Sequence, residues 1–89
     1  MSIKFKIAPV LSSLTNNLQS VEVSGNTVGE SLDQLTKQFP GLKTVIFDDY
    51  GELNNFIAIF MNGTYSQVEH LSRPVEDGDE LGIVFSNGG

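Results

Sequence analysis

The sequence predicts an α+β fold, in which a mixed sheet of four to five strands packs on one helix. Three observations carry this. Ile3, Phe5 and Ile7 alternate with Lys4 and Lys6, the pattern of a strand buried on one face. Val28, Leu32, Leu35 and Phe39 recur at spacings of four, three and four, one apolar stripe on a 3.6-residue period. Leu81, Ile83 and Phe85 alternate with Gly82 and Val84, so strands stand on both sides of the helix.

The first strand ends at Ala8-Pro9. Residues 10–19 are mostly Ser, Thr, Asn and Leu and read as a loop. Val21 and Val23, alternating with Glu22 and Ser24, make a second strand, punctuated by Gly25-Asn26. Thr27-Val28-Gly29-Glu30 fits a capping box: the Thr27 hydroxyl accepts from the N–H of Glu30, and the Glu30 carboxylate reaches back to that of Thr27. Pro40-Gly41 stops the helix. At ~11 residues the helix is about 17 Å long and too short to persist alone, so it lies on the sheet.

Leu42 to Phe47 reads as a short strand or a turn of helix, and Asp48 to Glu52 as a polar turn. Phe56 to Met61 is the strongest strand. Asn62-Gly63 after it is the preferred pair for a tight type I′ hairpin, with Thr64 to Ser66 returning. Val68 to Leu71 fits a single helical turn, and Pro74 to Asp79 a second turn cluster before the final strand. This order describes the β-grasp fold. The crossover through the helix makes the first and last strands parallel neighbours at the sheet centre. Residues 1–85 form the domain and 86–89 a flexible tail.

At 89 residues this is one small domain. A hydrophobic fraction of 39% supplies one modest core and excludes a disordered acidic chain. No run approaches the ~18 apolar residues of a membrane span, and the first residues lack a signal peptide's apolar stretch. The expected location is the cytoplasm. Five basic residues against 11 acidic give a net charge of −6. Lys4, Lys6, Lys37, Lys43 and Arg73 are scattered, so neither nucleic acid nor an anionic membrane is an expected partner. A protein with a basic face is.

No catalytic set emerges. Without cysteine there is no thiol nucleophile and no Cys-based zinc site. His70, the single histidine, lacks the G-x-S-x-G context of a serine partner. Asp48, Asp49 and Glu52 lack the ligand spacing of a calcium loop, so no metal site is expected. Gly29 stands alone, without a phosphate-cradling glycine loop. Asn62-Gly63-Thr64 matches a glycosylation acceptor, but a chain without a signal peptide does not meet that machinery.

Two features remain. From Phe56 to Met61 both alternating sets are apolar: Ile57, Ile59 and Met61 on one face, Phe56, Ala58 and Phe60 on the other. A sheet with a helix on one side is expected to be polar on the other. Phe56 and Phe60, with Val84, therefore make either an exposed interaction patch or a second small core under loops. The other feature is Gly88-Gly89. Average glycine usage puts a chance pair at roughly one in two hundred. Without Cβ atoms, such a tail threads a narrow cleft, and the four residues after Phe85 reach about 13 Å. A carboxylate at its end becomes electrophilic once activated, for example as an acyl-adenylate.

The chain resembles the MoaD/ThiS sulfur carriers, relatives of ubiquitin, over essentially its whole length. The resemblance runs through Phe39-Pro40-Gly41-Leu42, Phe47-Asp48-Asp49-Tyr50-Gly51-Glu52-Leu53, Phe60-Met61-Asn62-Gly63, Asp77-Gly78-Asp79-Glu80-Leu81 and Gly88-Gly89. From Phe39 to Gly63 it is most similar to the CysO-type branch. It departs at the tail, where Phe85-Ser86-Asn87 replaces a Pro- or Ala-containing segment, and at Ala58, where relatives often have a polar residue.

The resemblance implies a protein cosubstrate rather than an enzyme. An ATP-dependent adenylating enzyme would join AMP to the Gly89 carboxylate. A sulfur donor protein or sulfide would then make the thiocarboxylate, and a sulfur-accepting synthase would take the sulfur. Gly88 would give access, and Phe56, Phe60, Val84 and Phe85 would form the partner-binding surface. The chain itself would bind no cofactor. A tail-processing protease acts on relatives that carry an extension after Gly-Gly. The alternatives are a ubiquitin-like modifier conjugated through Gly89, which differs only in the attacking nucleophile, and a β-grasp interaction module with an inert tail.

Overall fold

The computed structural model describes residues 2–66 and 71–85, with backbone alone at 64–66 and 85. The described residues form five strands: β1 (Ser2–Ile7), β2 (Ser20–Ser24), β3 (Ile57–Met61), β4 (Thr64–Ser66) and β5 (Glu80–Phe85). They form one sheet in the order β2-β1-β5-β3-β4. β1 pairs antiparallel with β2 and parallel with β5, and β3 runs antiparallel to both β4 and β5. This is the β-grasp arrangement, with the final strand at its centre.

Alternation decides which side chains meet the helix. Ile3, Phe5 and Ile7 of β1, Val21 and Val23 of β2, Ile57 and Ile59 of β3, and Leu81 and Ile83 of β5 are all buried. They join Val28, Leu32 and Leu35 of α1 (Val28–Gln38) in one core. Burying a leucine or phenylalanine contributes roughly 1.5–3 kcal/mol, and this face is where an 11-residue helix finds its stability.

The helix start differs from the expected box in one bond. Thr27 Oγ1 accepts from the N–H of Glu30 at 3.1 Å, as the sequence predicts. The Glu30 carboxylate, however, accepts from Asn26 N–H at 3.0 Å, one residue before the cap. The strap 71–75 crosses here: the N–H groups of Val28 and Gly29 donate to the carbonyls of Arg73 and Leu71. The helix's first donors are thus satisfied within the chain. Gly29 permits this approach, since a Cβ there would stand 3.0 Å from the Leu71 carbonyl oxygen.

Residues 10–19, read as a loop, contain a 3-10 helix, Pro9–Thr15. Pro9 sets its first turn. The Ser12 hydroxyl donates to the Pro9 carbonyl and the Thr15 hydroxyl to that of Leu18. Asn16 and Asn17, at φ of 54° and 64°, end it. Of its residues only Leu11 and Thr15 are buried, too few to make a stripe in the sequence. The sheet is therefore covered by more than one helix. The Leu42–Phe47 alternative resolves as helix: a 3-10 turn, Pro40–Leu42, leads into α2 (Lys43–Ile46), which buries Ile46. Asn54 closes α2, its amide donating to the Val45 carbonyl at 2.7 Å.

The turns follow their residues. Asn62 and Gly63 have φ of 51° and 83°, both positive as a type I′ hairpin demands. Asp48 Oδ1 accepts from the N–H groups of Tyr50 and Glu52, so this carboxylate organises the polar turn. The helical turn expected at Val68 to Leu71 falls mostly outside the described residues, as does the tail, 86–89.

Candidate functional site

The face of the sheet turned away from α1 is built by the other half of each alternation. On β3 and β5, Ala58 stands opposite Val84 and Phe60 opposite Gly82. On β1 the same side carries Lys4 and Lys6, and on β2 Glu22. The face has an apolar half over β3 and β5 and a charged half over β1 and β2.

Phe60 and Val84 are half-buried on the apolar half, side by side with Gly82. Ala58 lies on this face, as the alternation predicts, but is 3% exposed and does not contribute surface. Phe56 lies in the turn before β3, outside the ladder, and is 43% exposed. The structure thus brings Phe60 and Val84 together and leaves Phe56 off the strand. The backbone of Phe85 pairs with Ile57 at the end of the ladder. The Phe85 side chain and Gly88 and Gly89 lie outside the described residues, as does His70.

A groove of about 230 Å3 runs along β5 on this face. Phe60, Gly82 and Val84 form its apolar part, and Lys6 and Glu80 its polar rim. Lys6 Nζ stands 3.7 Å from Glu80 Oε1, with both side chains well exposed, so the pair fixes little. Sequence reading missed Gly82, which passed as one more alternating position. Its signal was a glycine inside a strand pattern.

A larger cavity, about 690 Å3, lies on the helix side, between α1 and the Asp48 turn. Glu30, Asp33, Asp48 and Asp49 line it over Phe47 and Leu71. It shares no residue with the open face. Among the described residues no cluster of three or more His, Cys, Asp or Glu could hold a metal ion, and no helix is long and apolar enough to cross a membrane.

The open face sets the apolar pair Phe60 and Val84 beside a charged half. It offers a surface for a protein, beside the strand that leads to Gly88 and Gly89. Comparison with known proteins places the chain. A relative from Haloferax volcanii, small archaeal modifier protein 1, is 38% identical over 64 residues, 71% of this chain and 70% of that protein. The crystal structure of that modifier superposes with a TM-score of 0.86 at 29% identity, covering 100% of this chain and 99% of the other. CysO of Amycolatopsis orientalis, crystallised in a complex with BexX, superposes with a TM-score of 0.84 at 29% identity, covering 98% of each chain. The family model described as the ThiS family matches residues 10–89. The chain therefore belongs to the ThiS family of small ubiquitin-like sulfur carriers and modifiers, which are protein carriers rather than enzymes.

Proposed function

We propose that this chain is a sulfur carrier whose Gly89 carboxylate is adenylated and then converted to a thiocarboxylate. The observation that carries the reading is the family match, which extends from residue 10 through Gly88-Gly89. The carboxylate attacks the α-phosphorus of ATP on a partner enzyme and pyrophosphate leaves. A sulfur nucleophile then displaces AMP from the acyl-adenylate. The carbonyl carbon keeps its oxidation state, and sulfur replaces one oxygen. Gly88 lets the backbone enter the cleft where this occurs. ATP belongs to the enzyme, and the setting is the cytoplasm.

Phe60 and Val84, with Phe56 and Phe85, hold the domain against that enzyme, and afterwards against the synthase that accepts the sulfur. Support comes from the apolar half of the open face and from the relative crystallised with a protein partner. The test is the intact mass before and after incubation with ATP, a cognate adenylating enzyme and sulfide. A gain equal to exchanging one oxygen for sulfur, absent when Gly89 is deleted, is the expected result. No gain with an enzyme shown to be active would refute it.

One observation favours a second reading. The relative at 38% identity is named a modifier. In that role a lysine amine, not sulfide, attacks the same adenylate or a thioester derived from it. Higher-mass conjugates that disappear with Gly89 would mark it.

A further inference from the structure

Gly82 lies in the middle of β5, between Lys6 of β1 and Phe60 of β3. A glycine there weakens a strand, because it brings extra backbone entropy and no side chain to pack. Five other glycines have an internal reason, and Gly41, which has none, lies outside the sheet. A Cβ at Gly25 would stand 2.5 Å from Ser31 Oγ, and one at Gly29 meets the Leu71 carbonyl. Gly51, Gly63 and Gly78 have φ of 79°, 83° and 89°. Gly82 has neither constraint. A Cβ at 82 would have Phe60 Cβ at 3.7 Å, an ordinary contact. The sheet has room for a side chain, and its absence opens the groove along β5. The remaining reason for glycine in a strand is close approach from outside.

We infer that this groove is a socket for one apolar side chain of the adenylating enzyme, and that Gly82 determines which partner fits. The inference rests on the carrier reading and adds to it the residue that selects the enzyme. The occupant follows from where the chain goes. β5 leads from Gly82 to Phe85 and on to Gly89, seven positions later. At ~3.3 Å per residue that is a reach of about 23 Å. An enzyme gripping Gly89 thus lays its surface over the end of β5. Phe60 and Val84 make the walls apolar, and the Lys6–Glu80 pair neutralises the rim. A leucine, isoleucine or methionine side chain suits that lining.

The experiment compares Gly82→Leu, which fills the socket from within, with Gly82→Ala, which adds one carbon. Ser24→Leu, on the open side of β2 two strands away, is the control. Thermal unfolding reads the fold, and adenylation kinetics with the enzyme that charges the wild-type protein read docking. Gly82→Leu should raise KM for the carrier roughly tenfold or more, as filling a hot-spot pocket does. It should leave kcat unchanged, with Gly82→Ala intermediate and Ser24→Leu like wild type. An unchanged KM in Gly82→Leu, with wild type charged normally, overturns the socket and leaves the carrier reading standing. A large loss of thermal stability in both Gly82 variants overturns it too, because glycine then serves the sheet. If no active enzyme charges the wild type, the carrier reading fails and the socket falls with it.

Discussion

The side-chain amide of Asn62 donates to Asp79 Oδ1 at 3.2 Å, and its oxygen accepts from the N–H of Glu80 at 2.9 Å. One asparagine at the hairpin tip thus ties two segments 17 residues apart. Asp79 Oδ2 in turn accepts from the N–H of Glu76 at 2.8 Å, closing the turn that starts β5.

These bonds lower the pKa of Asp79. The Glu76 N–H contributes most, the Asn62 amide next and the charge of Arg73 least, against a small opposing effect of burial. A carboxylate whose pKa is depressed by folding stabilises the native state above its unfolded value of about 4. That stability is lost as pH falls through the lower folded value. Urea midpoints measured from about pH 5 downward should fall less steeply in Asp79→Asn than in the wild type.

Gly25→Ala should be the most damaging single-carbon change. The added Cβ would stand 2.5 Å from Ser31 Oγ and 2.9 Å from its backbone nitrogen. Ser31 is fully buried and its hydroxyl donates to the Thr27 carbonyl, so it has nowhere to move. Overpacking of this kind costs about 1–3 kcal/mol, readable as a lowered midpoint in chemical denaturation.

Thr27→Ala removes the acceptor for Glu30 N–H and should cost about 1 kcal/mol. Thr27→Ser keeps it and should cost little. Since the Glu30 carboxylate bonds Asn26 rather than Thr27, Glu30→Gln should preserve the reciprocal bond in both backgrounds. Thermal melts of the three variants check this.

Phe60→Asp should weaken docking to the adenylating enzyme by on the order of 2 kcal/mol, the scale of an interface hot spot. Gly89→Ala should slow activation while leaving docking intact. Steady-state adenylation separates them, through KM in the first case and kcat in the second. Unchanged rates in both would refute the roles given to Phe60 and Gly89.

The strands and α1 were legible because each buries one face, and burial on one face writes a period into the sequence. Ile3-Phe5-Ile7 and Val28-Leu32-Leu35 are such periods. The 3-10 helix was not, because Leu11 and Thr15 are its only buried residues and hydroxyl bonds do the rest. The face of Ala58 was legible but its burial was not, since alternation gives the face of a residue and not what covers it. The apolar half of the open face was legible at Phe60 and Val84. Gly82 was missed because a hollow is a missing side chain, and its meaning depends on the distance to Phe60 and on a backbone φ that no pattern reports.

The position of β5 also fixes the order in which the molecule can be made. Every other described element leaves the ribosome before it, yet β5 is the strand that β1 and β3 both pair with. Until it emerges, β1–β2 and β3–β4 are two separate hairpins with no common sheet. A chain that stops before Glu80 therefore lacks the strand that joins the two hairpins and has no native sheet to present.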